Sequence, residues 1–309
     1  MTVKSVLKDY RFISLAGALL AIVVLFAHPF ERRPSRVFNL TLVVDITRSM
    51  NVEDQQIDGE PVSRLAFVKQ RLRDLLLTLP CDSTVGLGVF TERHSTVLFE
   101  PIEVCSGFAE LDTAIAALDW RMAWAADSRI AKGLSDAIEQ RRESNSVLIF
   151  MTDGHEAPPV NPRYRTEFSN AENDLQGMIV GVGGARPAPI PKYDNRGERN
   201  GFYTADDVPH RSSFGLSNLN PEEVEGYHAR NAPFGSEAPV GNEHLSYLHE
   251  AYLQELANKT GFSYHHLVDA ESFASALLDA DYAEQKTASI DVRWRAALAA
   301  LILLLAVFV

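Results

Sequence analysis

The stretch FNLTLVVDITRSM, residues 38–50, carries a strand pattern followed directly by a group of oxygen-bearing side chains. The first half ends in a nearly continuous apolar run, which predicts a strand covered on both faces. The second half places Asp45, Thr47 and Ser49 at alternate positions just after that strand. In an open α/β sheet, ligands bind beyond the carboxyl ends of the strands. The stretch therefore predicts a ligand site at the end of the first strand.

Downstream of this stretch, helix-like and strand-like patterns alternate. Apolar residues recur at helical spacing in residues 63–79, and residues 85–90 and 96–99 predict a hairpin of two short strands. Two later runs, residues 146–151 and 177–182, are of the kind that is buried on both faces of a sheet. The alternation predicts an α/β fold with a doubly wound, mostly parallel sheet, to which the hairpin adds one antiparallel edge strand.

The composition of the 309-residue chain excludes several classes of protein. Its hydrophobic content of 46%, with only 18 Gly and 15 Pro, excludes disorder as the main state. A net charge of −12 argues against nucleic acid as the main partner, because an acidic surface repels the phosphate backbone. With only two cysteines, the chain can build neither a disulfide scaffold nor a zinc site of cysteines.

An apolar segment near the N-terminus predicts a membrane anchor. Residues 1–36 form a tail and anchor, in which a helix of about residues 12–30 is long enough to span a bilayer. The alternative is a cleaved signal peptide. The segment lacks the small-x-small pattern that signal peptidase needs, which favours an uncleaved anchor.

A second apolar segment lies at the other end of the chain. Residues 282–309 are predicted as a linker followed by a hydrophobic anchor at about residues 294–309. This anchor is short for a full span, but it is apolar on all sides, which favours it over a core helix. One domain, residues 37–281, lies between the anchors. It includes an irregular insertion at about residues 184–244, within which residues 190–204 predict a hairpin.

Two further segments add oxygen ligands to the predicted site. Asp153 follows the apolar run that ends at residue 151, so it also lies at the carboxyl end of a strand. Ser128 lies in a loop that opens a helix. Two carboxylates facing each other across one crevice repel unless a cation lies between them. Carboxylate and hydroxyl oxygens are ligands that Mg²⁺ accepts.

In this order, the three segments resemble the von Willebrand factor A domain and its metal-ion-dependent adhesion site. The family pattern is Asp-x-Ser-x-Ser after the first strand, a Thr before the third helix and an Asp-Gly after the fourth strand. Asp45, Ser49 and Asp153 match it, Thr47 replaces the middle Ser, and Ser128 stands where the family has Thr. The resemblance implies Mg²⁺ or another divalent cation at these five residues and a protein partner whose Asp or Glu carboxylate completes the coordination.

A narrower resemblance concerns the anchors and several short phrases, such as residues 152–159 and 188–194. They are similar to membrane-anchored bacterial A-domain proteins encoded beside MoxR-type ATPases, and in particular to the MxaL family of methanol-oxidation accessory proteins. That resemblance implies a role in the maturation of a periplasmic methanol dehydrogenase through calcium insertion. It also implies a MoxR-type ATPase system as an alternative partner.

Other functions remain as alternatives to metal-dependent docking. A metal-dependent hydrolase would use His155 or Glu156 as its acid or base, but polar residues at a loop tip are the commoner case. A structural scaffold with an empty site is a third interpretation. Trp120 and Trp124 bracket the loop before Ser128 and are either core residues or contacts for a partner. We expect binding rather than catalysis.

The two cysteines bear on the location of the protein. If the predicted hairpin turns near residues 93 and 94, Cys81 and Cys105 face each other at its open end, within plausible reach of a disulfide. A disulfide implies an oxidising compartment. We therefore expect an inner-membrane protein whose domain faces the periplasm. The basic residues on the domain side of both anchors mildly oppose this orientation.

Overall fold

The computed structural model describes residues 10–123, 127–141, 144–159, 164–168, 175–194, 196–208, 220, 242–279 and 282–308. The α-helices among them are α1 (Tyr10–Ala27), α2 (Arg64–Thr78), α3 (Phe108–Ala117), α4 (Ile130–Arg141), α5 (Glu250–Thr260), α6 (Ala270–Asp279) and α7 (Arg293–Leu305). The strands are β1 (Phe30–Asp45), β2 (Gln55–Ile57), β3 (Glu60–Val62), β4 (Thr84–Thr91), β5 (His94–Glu103), β6 (Val147–Thr152), β7 (Gly177–Gly181), β8 (Ala188–Pro189), β9 (Pro191–Tyr193), β10 (Arg199–Phe202), β11 (Leu245–Ser246), β12 (Ser263–His266) and β13 (Ala283–Asp291).

These elements divide into two compact units. One comprises residues 1–37, 80–82 and 284–309, and the other comprises residues 38–79 and 83–283. The larger unit contains the central sheet, with the strand order β12-β7-β6-β1-β4-β5. Neighbouring strands along this order are parallel, except that β5 pairs antiparallel to β4 at one edge. The predicted sheet and its antiparallel edge strand are confirmed.

Helices cover both faces of this sheet, so its strands are apolar on both sides. Leu42 and Val44 of β1 belong to a buried cluster that also contains residues of α2, α3 and α6. Val43, which lies between them, belongs to a second cluster with residues of α4 and α5. Successive side chains of a strand point to opposite faces. The apolar run at the end of β1 therefore contributes side chains to both hydrophobic cores, one on each face of the sheet.

The smaller unit contains the two terminal helices. Helix α1 packs against α7, and a Cβ atom added at Gly17 of α1 would lie 3.2 Å from Cδ1 of Leu303 of α7. Near the ends of the two helices, Arg295 pairs with Glu31 at 3.1 Å. By length and composition, α1 can cross a bilayer, and it is the one helix among the described residues that meets both criteria.

The structure corrects two boundaries predicted from the sequence. The segment after residue 282, predicted as a linker, forms strand β13, which pairs with β1. Its sequence is mostly polar, so it lacks the apolar pattern that predicts a strand, although backbone pairing does not require apolar side chains. The anchor helix, predicted to run to about residue 30, ends at Ala27, and Phe30 already begins strand β1.

The predicted hairpin in the insertion is present, as β9 paired antiparallel to β10. Within the predicted insertion, residues 195, 209–219 and 221–241 lie outside the described residues.

Candidate metal centre

Asp45 lies at the carboxyl end of β1 and is fully buried. Its Oδ1 accepts a hydrogen bond from the backbone N–H of Thr47 at 2.8 Å. Its Oδ2 accepts one from the hydroxyl of Thr152 at 2.6 Å. Because β1 and β6 are in parallel register with Val44 opposite Met151, the next residues of the two strands meet at the same edge. Groups from two neighbouring strand ends therefore orient the Asp45 carboxylate.

Three hydroxyl side chains line one cleft at this edge, those of Thr47, Ser49 and Ser128. All three residues are almost completely buried, and Oγ1 of Thr47 lies 3.3 Å from Oγ of Ser49. The Oγ atom of Ser128 has no hydrogen-bond partner among the described residues. A buried hydroxyl without a partner is costly. This atom therefore marks a position where a ligand is expected.

Backbone hydrogen bonds hold the loop that carries Ser128. The N–H of Ser128 donates to the C=O of Ala157 at 2.6 Å, and the N–H of Ala157 donates back to Ser128 at 3.0 Å. The N–H of Arg129 donates to the C=O of Glu92, just beyond β4, at 2.6 Å. These bonds join the Ser128 loop to the loop after β6, which carries Asp153. The predicted metal ligands thus come from three separate stretches of chain.

Asp153 lies just beyond β6 and is fully buried. Its Oδ1 accepts from the N–H of His155 at 2.9 Å. Its Oδ2 accepts from Oγ of Ser246 at 2.9 Å and from Nη1 of Arg64 at 2.6 Å. Burial is the largest influence and would raise the pKa of Asp153, but the charge of Arg64, the field of His155 and hydrogen bonds together outweigh it and hold this pKa below its ordinary value.

The two buried carboxylates influence each other. Burial, and after it the negative charge of Asp153, raises the pKa of Asp45 to about 7. Ser49 is among the groups that lower the pKa of Asp153, which relates the hydroxyls to the second carboxylate. Of the five residues predicted as metal ligands, the structure therefore brings all five to one edge of the sheet. Two carboxylates and a partnerless hydroxyl fit the ligand set of a hard divalent cation.

Arg64 is the residue of this site that the sequence did not reveal. Its guanidinium is fully buried between Asp153 and Asp54, with N···O distances of 2.6 and 2.7 Å. Asp54 also accepts a hydrogen bond from the N–H of Gly184 at 2.8 Å. Arg64 is the first residue of α2, and its burial leaves no pattern in the local sequence because arginines are mostly exposed.

His155 and Glu156, the candidates for an acid or a base, have different surroundings. His155 lines the cleft, and burial lowers its pKa to about 4. Glu156 lies outside the described lining of the cleft. Its Oε1 accepts from the hydroxyl of Tyr252 at 2.7 Å and from the N–H of Ala131 at 3.2 Å. Burial raises the pKa of Glu156. Glu156 is therefore engaged by groups of α4 and α5.

Neither cysteine of the chain is free, since Cys81 and Cys105 are both disulfide-bonded. Within the hairpin that precedes Cys105, Thr84 lies opposite Glu103. At this open end the hairpin has the predicted register, whereas register shifts between Val85 and Gly88 bring Thr91 opposite His94 at the turn.

Comparison with known proteins connects this geometry to a domain type. Residues 40–155 match the family model described as the von Willebrand factor type A domain. No curated protein matches the chain.

Two solved structures have a similar fold. One is an aerotolerance-related membrane protein from Bacteroides fragilis NCTC 9343, with 16% identity and a TM-score of 0.52; the match covers 78% of this chain and 97% of that one. The other is the conserved hypothetical protein BatB from Bacteroides thetaiotaomicron, with 17% identity and a TM-score of 0.50; it covers 79% and 97%, respectively. At these identities the likeness concerns the fold alone. The chain therefore has an α/β fold of the von Willebrand factor A type, and its residues 40–155 match that domain.

Proposed function

We propose that this protein is a membrane-anchored docking protein whose A-type domain binds a divalent cation, Mg²⁺ in the first instance, and through it an acidic partner. The ligands are Asp45, Thr47, Ser49, Ser128 and Asp153. The observation that supports this proposal best is the Oγ atom of Ser128, which is buried in the cleft without a hydrogen-bond partner among the described residues.

The side chains of the site are suited to a cation that keeps a position for an external ligand. A bound Mg²⁺ supplies an oxygen-seeking charge that accepts a carboxylate from outside the chain. The chain contributes two carboxylates, and Arg64 already neutralises much of the charge of Asp153. Neutral hydroxyls supply the remaining oxygens, so the site leaves the cation with net positive charge for a partner's Asp or Glu.

We propose docking rather than catalysis. The carboxylate of Glu156 is hydrogen-bonded to Tyr252 and to the backbone of Ala131, and the low pKa of His155 keeps its ring neutral near pH ~7. Glu156 is thereby engaged by other groups, and His155, although it lines the cleft, is a weak base at this pKa.

We propose that the domain faces the periplasm from the inner membrane. Helix α1 supports the anchor, and the likeness to an aerotolerance-related membrane protein agrees with it. The disulfide supports an oxidising compartment. The terminal apolar helix α7 packs on α1 and is the proposed second anchor.

The proposed partner is the maturation machinery of a periplasmic methanol dehydrogenase, in which this protein assists calcium insertion. Support for this narrower step comes from the resemblance to the MxaL family in short phrases of the sequence and from the two anchors. A general chaperone role beside a MoxR-type ATPase is the alternative.

Capture of apo methanol dehydrogenase tests the proposal. The full-length protein in detergent is immobilised and offered the apo enzyme in Mg²⁺ or in EDTA, in parallel with an Asp45→Ala variant. We expect capture only by the wild type in Mg²⁺. Equal capture in all four samples would overturn metal-dependent docking. Mg²⁺ binding by calorimetry without capture of this enzyme would instead overturn the choice of partner.

A further inference from the structure

A second cavity adjoins the metal cleft. It has a volume of about 360 Å³, and Arg48 and Tyr203 line both it and the cleft. The aromatic rings of Trp120 and Tyr193 stack in its wall, with centroids 5.0 Å apart. Trp120 is thus a cavity residue, whereas Trp124 lies outside the described residues. Any segment that reaches the metal cleft has this cavity beside it.

The residues that connect the two spaces belong to the metal-binding motif itself. A single 3₁₀ turn, Arg48–Asn51, follows Thr47. Within this turn, Ser49 faces the cleft, Asn51 faces the cavity and Arg48 lines both. The position of the cavity relative to the proposed ligands is therefore fixed by local backbone structure.

Arg48 and Asn51, which lie where the cleft meets the cavity, carry N–H groups that can donate to an external acceptor. Nη1 of Arg48 donates to the hydroxyl of Tyr203 at 2.6 Å, and its guanidinium carbon lies 5.4 Å from the centre of that ring. Arg48 forms no ion pair with any described residue. Nδ2 of Asn51, which is 3% exposed, has no hydrogen-bond partner in the same set.

The cavity wall carries two other charged side chains, one cationic and one anionic. Arg121 pairs with Asp119 at 2.8 Å, and Oδ1 of Asp194 accepts from the backbone N–H groups of Arg196 and Glu198. Arg48 therefore provides the cationic group that an external anion can meet, in a chain whose net charge is −12. A carboxylate accepts hydrogen bonds without donating any, which suits a guanidinium and an amide N–H side by side.

We infer that this cavity is a second recognition subsite, which binds a further Asp or Glu side chain of the same partner segment whose first carboxylate ligates the metal. The stacked rings of Trp120 and Tyr193 cover the apolar stem of that side chain. The motif would thus recognise a pair of acidic residues rather than one. This inference rests on the proposed metal-dependent docking.

Short peptides separate the two subsites. Capped peptides carrying one Glu, a glycine spacer of one to four residues and a second Glu are titrated into the full-length protein in Mg²⁺ and in EDTA. In one matched set the second Glu is replaced by Gln, and in another by Phe. At the best spacer length we expect the Glu peptide to bind roughly tenfold more tightly than its Gln match, about the effect of one charge-assisted hydrogen bond.

Variants then assign this preference to the cavity. In Arg48→Gln the ratio of the two affinities falls to near one. The ratio is taken within each variant, so an effect of the substitution on the metal site cancels. If Arg48→Gln does not fold, Asn51→Leu serves as the second test variant. We expect this substitution to lower the ratio of the Glu-peptide affinity to the Gln-peptide affinity severalfold.

The possible failures are distinguishable. If no peptide binds in a Mg²⁺-dependent way, the proposed docking function is wrong. If the peptides bind with Mg²⁺ but the wild type treats Glu and Gln alike, only the second subsite is wrong. A ratio that persists in both variants, or tighter binding of the Phe set, overturns the assignment of the cavity to an acidic side chain.

Discussion

The guanidinium of Arg64 donates to the carboxylate of Asp153 at 2.6 Å, and both side chains are fully buried. This pair places a permanent positive charge beside one of the proposed metal ligands. The pKa of Asp153 is low, whereas burial and the negative charge of Asp153 raise the pKa of Asp45 to about 7. Arg64 therefore offsets the charge of one of the two buried carboxylates from within the chain.

Removing the guanidinium should make folding depend on the metal. In Arg64→Met, Asp153 stays buried without its partner, and breaking a buried pair costs about 3–5 kcal/mol. We expect the free energy of unfolding in EDTA to fall by this amount and Mg²⁺ to restore part of it. Urea unfolding of the wild type and the variant, each in EDTA and in Mg²⁺, measures both effects.

Arg73→Met is the matched control, because Arg73 of the same helix pairs with Asp112 at 2.6 Å on the exposed side. We expect it to change the unfolding midpoint far less, and equally in both buffers. An Arg64→Met variant that responds to Mg²⁺ no more than the wild type does would contradict the role assigned to this arginine.

Two buried serines should respond to substitution in opposite ways. Because Oγ of Ser128 has no partner in the described structure, Ser128→Ala should leave stability in EDTA unchanged and weaken Mg²⁺ binding. The hydroxyl of Ser95 donates to the C=O of Gly133 at 2.8 Å, so Ser95→Ala should lose about 1 kcal/mol of stability without altering Mg²⁺ affinity.

Calorimetric titration with Mg²⁺ and urea unfolding in EDTA, applied to both serine variants, give the four values needed. If Ser128→Ala destabilises the metal-free protein as Ser95→Ala does, the hydroxyl has a structural partner and is not a vacant ligand.

The buried carboxyl of Glu156 should make stability depend on pH. Burial raises its pKa above the ordinary 4.5. A raised pKa contributes stability that is complete below the unfolded value and is lost as the pH rises through the folded value. Relative to Glu156→Gln, the wild type should therefore lose stability as the pH rises above the ordinary pKa of 4.5.

The Gln variant retains an acceptor for Tyr252 and for the N–H of Ala131, which makes it the conservative comparison. The difference in unfolding free energy between the two proteins, measured by urea at several pH values, isolates this one group because Asp45 titrates in both. A difference that stays constant with pH would show that the Glu156 pKa is not raised.

Because the terminal helices α1 and α7 approach closely at Gly17, we expect a larger side chain at this position to lower stability. A Cβ there would already lie 3.2 Å from Leu303, so Gly17→Leu should separate α1 from α7 at an overpacking cost of about 1–3 kcal/mol. Leu20→Phe, at a position 65% exposed in the same helix, is the control for added bulk. Thermal unfolding in detergent compares them, and equal midpoints for the two variants would argue against the contact.

The sequence predicted the sheet and the convergence of the ligands because both follow from local patterns. Apolar runs identify β1 and β6 as buried strands, and the carboxyl ends of parallel neighbours meet at one edge. Arg64 could not be found in this way, since its role comes from burial against residues far away in sequence. β13 was missed for a related reason: its pairing with β1 uses the backbone, which leaves no apolar pattern.

The register of β6 against β1 also has a consequence for folding fidelity. Thr152 meets Asp45 because Val44 lies opposite Met151. A slip of one residue would exchange Thr152 for its neighbour, so that a carboxylate would face a carboxylate where a hydroxyl now donates a hydrogen bond. The carboxylates proposed as metal ligands thus also disfavour the misaligned sheet, by a repulsion that needs no cation.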